Sequence, residues 1–469
     1  MTLARLGEAF ARAGYDEAGL ERVLTEEGRL THAQGVAALR FRDDAEQPAL
    51  LLARLFQAGD AVDARAAAAV LEPLTPDDLT EVVAVEDGLM RARVKIEPFE
   101  GVLVASDASY DGAETVLGVG GATRLVNALT VRRRCGSALD LCTGSGALAL
   151  LAARHADRVL GVDLSERALR LARLNAALNG LEAIEWGLGD LFEPVGEQQF
   201  DLLTANPPFA VSPSQEFLFR DGGHEDDALS ASVVAGAAAR LQEGGFATVV
   251  CNWIAPADGP WAERPRRWVR DSGCDALLLR HQSETPVSYA LRWNVVPGRT
   301  AADVAEAAKP WLAYLRERGI ESLVTGVVVL RRRNGPNWVR EEELTRTPSS
   351  PAGAHVERIF AGRDVLEAVD DERGLLDLVL QPSPGTMLVE RRHPSGERER
   401  VRLTTEEGLP LRTPIPTACV DVLAALDGRR PLRQALGSDA LAAECLPTLT
   451  DLLGRGLLVA AGSAGEKPL

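Results

Sequence analysis

Residues 138–146, Ala-Leu-Asp-Leu-Cys-Thr-Gly-Ser-Gly, decide the fold of this chain. Residues 138–141 form an apolar run typical of a buried strand, and residues 146–153 continue as an apolar segment typical of a helix. Glycines between a strand and a helix permit a tight turn, and they leave room for a ligand against bare backbone. This stretch therefore predicts a strand–turn–helix unit with a ligand-binding turn.

The alternation of strands and helices continues from about residue 131 to 330, which indicates a parallel sheet with crossover helices. Further buried strands are predicted at 159–162, 200–204, 246–251 and 276–279. A helix is predicted at 167–179, with Ser165 as its N-cap and Asn179-Gly180 as its stop. Residues 287–293 and 323–331 are expected to form a closing antiparallel pair, separated by a helix at 301–318.

Two acidic residues follow the next predicted strands. Asp163 lies 23 residues after Asp140, where a carboxylate accepts hydrogen bonds from both ribose hydroxyls. Asp190, followed by Leu191, is placed to accept from the exocyclic amine of an adenine. An aspartate taken alone at either position is explained without a ligand, as a helix cap or a turn residue. The third glycine of the dinucleotide fingerprint is replaced by Ala149, so the turn alone also suits a nicotinamide cofactor.

Residues 206–209, Asn-Pro-Pro-Phe, carry the most specific chemistry. Proline has no N–H, so Pro207 and Pro208 present only carbonyl acceptors, and Asn206 adds a side-chain carbonyl. Acceptors that converge on an amino group hold its hydrogens and leave its lone pair facing a methyl donor. Phe209 offers a flat face for stacking a base or an amide plane. The alternative is a Pro-Pro turn with a phenylalanine in the core.

Taken together, residues 101–255 resemble the class I S-adenosylmethionine-dependent methyltransferases that carry an Asn-Pro-Pro-aromatic motif. The similarity is to the small-domain group, which contains ribosomal RNA base methyltransferases and release-factor glutamine methyltransferases. The resemblance implies a Rossmann-like α/β core that binds S-adenosylmethionine. The residues implied to bind this cofactor are Thr123, Asp140, Thr143, Gly144, Gly146, Asp163, Leu164, Asp190, Leu191 and Asn206. The residues implied to hold the substrate nitrogen are Asn206, Pro207, Pro208 and Phe209.

The substrate is less defined by these motifs than the cofactor. Release-factor enzymes usually have tyrosine as the fourth motif residue, whereas Phe209 is typical of members that act on RNA bases. We therefore expect N-methylation of an exocyclic amino group in nucleic acid, RNA in particular. The alternative is a glutamine or asparagine amide in a protein or peptide. An inactive methyltransferase scaffold and a nicotinamide oxidoreductase are the competing classes.

The composition sets limits on partners and compartment. The chain has 469 residues, 46% hydrophobic and 25% charged, as in soluble globular proteins with two to four domains. Its net charge of −17 excludes attraction to phosphate by the whole molecule, although local basic patches remain possible. Six cysteines without Cys-x-x-Cys spacing predict no metal site and a reducing cytoplasm. The N-terminus has no signal-peptide pattern, and no apolar run reaches membrane-spanning length.

Three domains are predicted along the chain. Residues 1–100 show helical periodicity followed by a hairpin around Glu86-Asp87-Gly88, which resembles a winged-helix domain for substrate recognition. Residues 101–335 form the methyltransferase-like domain. Residues 345–351 form a linker rich in Thr, Ser and Pro. Residues 352–469 form a C-terminal α+β unit that also resembles a winged helix.

Overall fold

The structure is a computed structural model that describes residues 2–25, 32–42, 47–109, 112–214, 216–296, 298–348, 351–395, 398–405 and 407–461. Part of the predicted linker, residues 349–350, lies outside this set. The chain divides into two compact units, one of residues 1–124, 134–276 and 283–338, the other of residues 125–133, 277–282 and 339–469. The division into domains at 1–100, 101–335 and 352–469 stays a prediction.

The N-terminal part of the first unit is helical and ends in short strands, as predicted. Its helices are α1 (Thr2–Arg12), α2 (Glu17–Thr25), α3 (His32–Ala38), α4 (Pro48–Phe56) and α5 (Ala64–Leu71), with 3-10 turns at Leu39–Phe41 and Pro76–Leu79. Its strands are β1 (Val62–Asp63), β2 (Val83–Glu86), β3 (Leu89–Ala92), β4 (Val94–Phe99) and β5 (Val102–Asp107). Leu6, Phe10 and Phe56 are fully buried in a shared apolar core.

The predicted hairpin forms between β2 and β3, which pair antiparallel around a turn with Asp87 at φ +51° and Gly88 at φ +75°. The sequence predicts a second hairpin strand at 90–96, but β3 ends at Ala92, because the chain leaves this sheet at Arg93. β4 pairs instead with β5 in a separate two-stranded sheet. The winged-helix resemblance of this region stays a prediction.

Within the described residues, an eight-stranded sheet has the order β13-β11-β12-β10-β9-β6-β7-β8. In chain order its strands are β6 (Cys135–Leu141), β7 (Ala156–Asp163), β8 (Glu185–Leu188), β9 (Phe200–Ala205), β10 (Leu241–Ala255), β11 (Cys274–Glu284), β12 (Ser322–Arg332) and β13 (Val339–Glu343). The pairs β8–β7, β7–β6, β6–β9 and β9–β10 are parallel, and β12 runs antiparallel to β10. The Rossmann-like core with an antiparallel closing strand is confirmed.

Helices connect these strands, since parallel neighbours require a crossover. They are α6 (Gly121–Leu129), α7 (Ala147–Ala152), α8 (Glu166–Leu178), α9 (Ala228–Ala239), α10 (Glu263–Val269), α11 (Pro286–Asn294) and α12 (Ala301–Glu317). The strand order reverses between β6 and β9, which lie side by side but are far apart in sequence. Ligands of open α/β sheets bind at the carboxyl ends of the strands beside such a reversal. The site is therefore expected where β6 and β9 end.

One predicted strand is wrong. Residues 287–293 form most of helix α11, and the antiparallel partner of β12 is β10. The apolar alternation of Val287, Tyr289 and Leu291 suggested a strand, but local signals start a helix there. The Thr285 side chain accepts a hydrogen bond from Ser288 N, and Pro286 occupies the first helical turn.

The C-terminal unit combines helices and short antiparallel sheets, as predicted for 352–469. Its helices are α13 (Gly353–Glu367), α14 (Glu372–Asp377), α15 (Cys419–Ala425), α16 (Leu432–Leu436) and α17 (Asp439–Gly454). Its strands beyond β13 are β14 (Leu380–Pro382), β15 (Thr386–Arg392), β16 (Arg398–Thr405), β17 (Thr413–Pro414) and β18 (Leu458–Ala460). The sequence interpretation did not include α13. The winged-helix resemblance of this unit also stays a prediction.

Candidate active site

Asp140 organises the turn that follows β6. The side chain is 1% exposed, and its Oδ2 accepts hydrogen bonds from Thr143 Oγ1 at 2.6 Å and from Ala149 N at 3.2 Å. Its Oδ1 accepts from Thr204 Oγ1 at 2.8 Å, which joins the turn to β9. Burial raises the pKa of Asp140 to about 6. The sequence predicted that Asp140 lines a ligand, but the structure places it beneath the turn, where it fixes the loop.

The glycines of the turn have two different functions. Gly144 and Gly146 adopt positive φ angles of +55° and +81°, which glycine accepts without strain. A Cβ on Gly144 would meet no atom within 4 Å, so backbone there is open to a ligand. A Cβ on Gly146 would lie 3.1 Å from the Trp186 ring, and one on Gly161 would lie 2.4 Å from it. Trp186, which the sequence interpretation missed, thus packs tightly beneath the turn.

Asp163, at the end of β7, links the turn to the next helix. Its Oδ2 accepts from Gly144 N at 2.8 Å, and its Oδ1 accepts from Ser165 N at 2.9 Å. Ser165 in turn caps α8 by accepting from Ala168 N. Asp163 is half-buried, and this burial raises its pKa. Since a carboxylate has about four acceptor positions, Asp163 retains capacity for ligand hydroxyls beside its two backbone bonds.

The segment after β8 lies against the segment after β7. Gly189 N donates to Asp163 O at 3.1 Å, and this bond brings Asp190 near the same edge. Asp190 is exposed, and Leu191 adopts a positive φ of +45°. Leu164 and Leu188 are more than half exposed, although leucine is usually buried. Exposed apolar side chains beside Asp163 and Asp190 provide surfaces on which a planar ring can pack.

Asn206 follows β9 and contacts the first turn of α6. Its Nδ2 donates to Thr123 Oγ1 at 3.2 Å. This bond fixes the amide, and among the described residues Asn206 Oδ1 makes no hydrogen bond. The resemblance assigns Thr123 to the cofactor, and this stays a prediction; in the structure its hydroxyl accepts from the amide of the proposed clamp, residues 206–209. Pro207 is buried, and Pro208 is half-buried.

Phe209 is less available than the sequence interpretation required. The ring is 8% exposed and packs edge-on against Trp293, with the ring centroids 5.7 Å apart and an interplanar angle of 77°. Its backbone forms an antiparallel bridge with Asp221. Phe209 therefore closes one side of the clamp as a buried wall and offers little free face for stacking.

A buried ion pair holds the chain that follows the clamp. Arg220 is 2% exposed, and its Nε and Nη2 donate to Asp221 Oδ1 and Oδ2 at 2.9 and 2.8 Å. The guanidinium lies between the rings of Phe217 and Trp311, at 4.9 and 5.0 Å from their centroids. From the sequence alone, residues 217–223 are compatible with a lid that has glycine hinges and with an ordinary surface loop. Gly222 instead allows a close approach, since a Cβ there would lie 2.3 Å from Leu229.

For the arginines and tryptophans at 261–270, the sequence favours a solvated helix face with packed tryptophans, and a phosphate or base-stacking patch is the competing interpretation. Arg264 pairs with Asp227 at 2.7 Å, and Arg267 pairs with Glu263. Trp261 stacks on Trp253, with centroids 6.0 Å apart. These cations and rings are thus engaged by neighbouring residues, which agrees with the favoured interpretation.

Strand order, glycine turn and acidic residue after β7 together define a Rossmann-like nucleotide-binding core of the methyltransferase type. Residues 119–258 match the family model "Methyltransferase small domain". The prediction that the region resembles small-domain methyltransferases is confirmed.

Curated relatives agree with this family. The chain is 33% identical over 155 residues to a release factor glutamine methyltransferase of Geobacter sulfurreducens, covering 31% of this chain and 52% of that protein. It is 33% identical over 173 residues to a ribosomal protein uL3 glutamine methyltransferase of Burkholderia pseudomallei, covering 32% and 56%. The chain therefore spans about half the length of these relatives.

Among solved structures, the chain is similar to the 16S rRNA N2 G1207 methyltransferase of T. thermophilus in complex with AdoMet and guanosine. That match has 18% identity and a TM-score of 0.30, and it covers 54% of this chain and 58% of the other. Within the described residues, no helix is long and apolar enough to cross a membrane. The same residues contain no cluster of three or more metal-ligating side chains.

Proposed function

We propose that this protein transfers a methyl group from S-adenosylmethionine to the side-chain amide nitrogen of a glutamine in a protein. The observation that carries this proposal is the fixed orientation of the Asn206 amide. Because Nδ2 is held by Thr123 Oγ1 at 3.2 Å, Oδ1 is the atom left to accept from a substrate –NH2 group. The adjoining proline carbonyls offer a second acceptor.

The residues around the turn fit S-adenosylmethionine. Gly144 leaves open space against its backbone, and Asp163 keeps acceptor capacity for ribose hydroxyls. Asp190 and the exposed Leu164 suit the amine and the ring face of adenine. The bound cofactor would supply a methyl group on a sulfonium, which needs no further activation by the protein.

The chain itself contributes orientation. An amide nitrogen is a poor nucleophile, because its lone pair is delocalised into the carbonyl. Two acceptors that hold both N–H groups turn the lone pair away from that conjugation and aim it at the methyl donor. The same two acceptors stabilise the positive charge that develops on the nitrogen as the methyl group is transferred. One proton then leaves the nitrogen to solvent.

Two observations favour a protein amide over a nucleic-acid base. Both curated relatives described above are named as glutamine methyltransferases. The net charge of −17 does not suit a polyanionic substrate. The burial of the Phe209 ring, which is 8% exposed, bears equally on stacking of a base and of an amide plane. The exocyclic amine of a base is the other outcome of the test below.

The test is transfer of tritiated methyl groups from S-adenosylmethionine into a cell extract divided between nuclease and protease treatment. We expect label that survives nuclease and is released by protease, and mass spectrometry that locates the added methyl on a glutamine residue. Label released as a nucleoside would contradict the amide assignment. No transfer by the wild type would contradict the proposed activity itself.

A further inference from the structure

Tyr289, on α11, makes a buried contact with the chain just beyond the clamp. Its hydroxyl accepts a hydrogen bond from Val211 N at 2.8 Å, two residues after Phe209. The residue is fully buried, and its pKa is raised above the ordinary range by that burial, so the phenol is neutral.

The same hydroxyl is tied to the central sheet. Asn252 Nδ2 donates to Tyr289 Oη at 2.6 Å, and Thr325 Oγ1 donates to Asn252 Oδ1 at 2.8 Å. Asn252 and Thr325 are direct partners in the antiparallel pairing of β10 and β12. A continuous set of hydrogen bonds therefore runs from the centre of the sheet, through Tyr289, to the backbone that follows the clamp.

Helix α11 holds the clamp by two further contacts. The Trp293 ring packs on Phe209, and the Trp293 carbonyl accepts from Arg220 Nη1 at 3.1 Å. Arg220 O in turn accepts from Ala210 N at 3.2 Å. The segment 209–211 is thus fixed by α11 at Phe209 and Val211, and by the Arg220 loop at Ala210.

We propose that Tyr289 is a positioning residue for methyl transfer, which acts through Val211 to aim the acceptors of residues 206–209, with Asn252 and Thr325 holding its hydroxyl. This role rests on the proposed function, because it deepens the use of the same clamp. Tyr289 is 0% exposed, so its side chain has no free surface for a substrate or a cofactor. Its loss leaves the turn after β6 intact, so the affinity for S-adenosylmethionine is retained while the methyl-transfer rate falls.

The variant Tyr289→Phe keeps the ring and removes the oxygen, which leaves Val211 N and Asn252 Nδ2 without their buried acceptor. A misaligned reacting group costs up to about 100-fold in rate, and we expect a fall of about 10- to 100-fold in methyl transfer to extract proteins at saturating S-adenosylmethionine. The dissociation constant for S-adenosylmethionine, measured by calorimetry, stays within about twofold of wild type. Hydrogen exchange of the peptide containing Val211 becomes at least about tenfold faster.

The matched control is Tyr314→Phe on α12. Tyr314 also accepts from a backbone N–H, that of Asp226 at 3.2 Å, and its hydroxyl donates to Asp226 Oδ1 rather than to residues of the clamp segment. This control keeps wild-type exchange at Val211 and a wild-type rate. Thr325→Val gives a smaller change in the same direction as Tyr289→Phe, and Thr325→Ser, which keeps the hydroxyl, restores wild-type values.

Unchanged exchange at Val211 together with an unchanged rate in Tyr289→Phe overturns the proposal. A loss of cofactor affinity as large as the loss of rate also overturns it, since that pattern marks general destabilisation. If wild type shows no methyl transfer, the proposed function fails, but the exchange comparison of Tyr289→Phe with Tyr314→Phe still decides whether Tyr289 fixes the clamp.

Discussion

The turn after β6 and the clamp after β9 lie side by side, but they are fixed by contacts of different range. Asp140 accepts from Thr143, three residues away, and Gly144 donates to Asp163, 19 residues away. In the clamp, Asn206 bonds to Thr123 across 83 residues, and Val211 bonds to Tyr289 across 78. The cofactor half thus combines these short-range bonds with the bond from Thr204 to Asp140 across 64 residues, whereas the substrate half is held by side chains from distant segments.

This difference explains how the two halves respond to change. A short loop held by its own carboxylate and glycines is specified by a few neighbouring residues. A segment held by several distant side chains depends on the packing of whole helices. Substitutions in the first half should affect cofactor affinity and stability, whereas substitutions in the second should affect the rate of transfer.

The largest expected effect is in the clamp. Asn206→Ala removes the oriented acceptor, and we expect methyl transfer to fall by about 10²- to 10³-fold, as for loss of one oriented hydrogen-bonding group in other active sites. Initial rates with tritiated S-adenosylmethionine measure this fall. Asn334→Ala, at an exposed position remote from β9 in sequence, is the control and should keep the wild-type rate. A wild-type rate in Asn206→Ala would show that the clamp does not hold the substrate.

The next largest effect is expected in the pH dependence of the free energy of unfolding, to which Asp140 contributes. Burial raises its pKa from 3.8 to about 6, so the native state binds more protons here than the unfolded chain between those values. The free energy of unfolding therefore decreases as pH rises from about 4 to about 6, by up to about 3 kcal/mol from this group. Urea unfolding of wild type and Asp140→Asn across this range measures the difference.

The Asp140→Asn variant should lack this part of the pH dependence, because an amide does not titrate. Asp258→Asn, which changes an exposed aspartate, should follow the wild-type curve. Parallel curves for wild type and Asp140→Asn would contradict the assignment of a raised pKa to Asp140.

A smaller effect is expected for Asp163→Ala. Loss of hydrogen bonds to a charged acceptor costs about 1.5–3 kcal/mol, so the affinity for S-adenosylmethionine should fall by about 10- to 100-fold. Asp157→Ala changes an exposed aspartate near the other end of the same strand and should bind as wild type does. Equal affinities for all three proteins in calorimetry would remove Asp163 from the cofactor site.

The smallest effect is expected at Thr123, where the two halves meet. Thr123→Val removes the acceptor of Asn206 Nδ2 and frees the amide to rotate, so we expect about a tenfold lower rate, equivalent to about 1.4 kcal/mol. Thr123→Ser keeps the hydroxyl and should restore the rate. If instead both variants lose cofactor affinity with no change in rate, Thr123 belongs to the cofactor half, as the sequence first suggested.

The difference between short-range and long-range contacts also explains which features the sequence could predict. The βα units, the capped helix α8 and the hairpin turn at Asp87-Gly88 depend on neighbouring residues, and the structure bears them out. The fold class and the closing strand β12 followed from the same alternation.

The support of the clamp was not predicted, because its residues come from other segments. Tyr289 and Trp293 were assigned to a strand, although Thr285-Pro286 signals a helix start. Arg220 lies in the segment that was compatible with a lid. Its pairing with Asp221 and its position near two rings are known only from the folded structure. Asn252 and Thr325 are single polar residues within apolar strands. The sequence does not show that they are partners, because this follows from the register of β10 and β12.

The most direct test of the division between the two halves is calorimetric titration of S-adenosylmethionine into wild type and Asn206→Ala. We predict that both proteins bind with dissociation constants within about twofold of each other, since the turn after β6 does not need the Asn206 side chain. Binding by wild type that is lost in Asn206→Ala would show that the two halves are one site. No binding by wild type would contradict the account of the cofactor half.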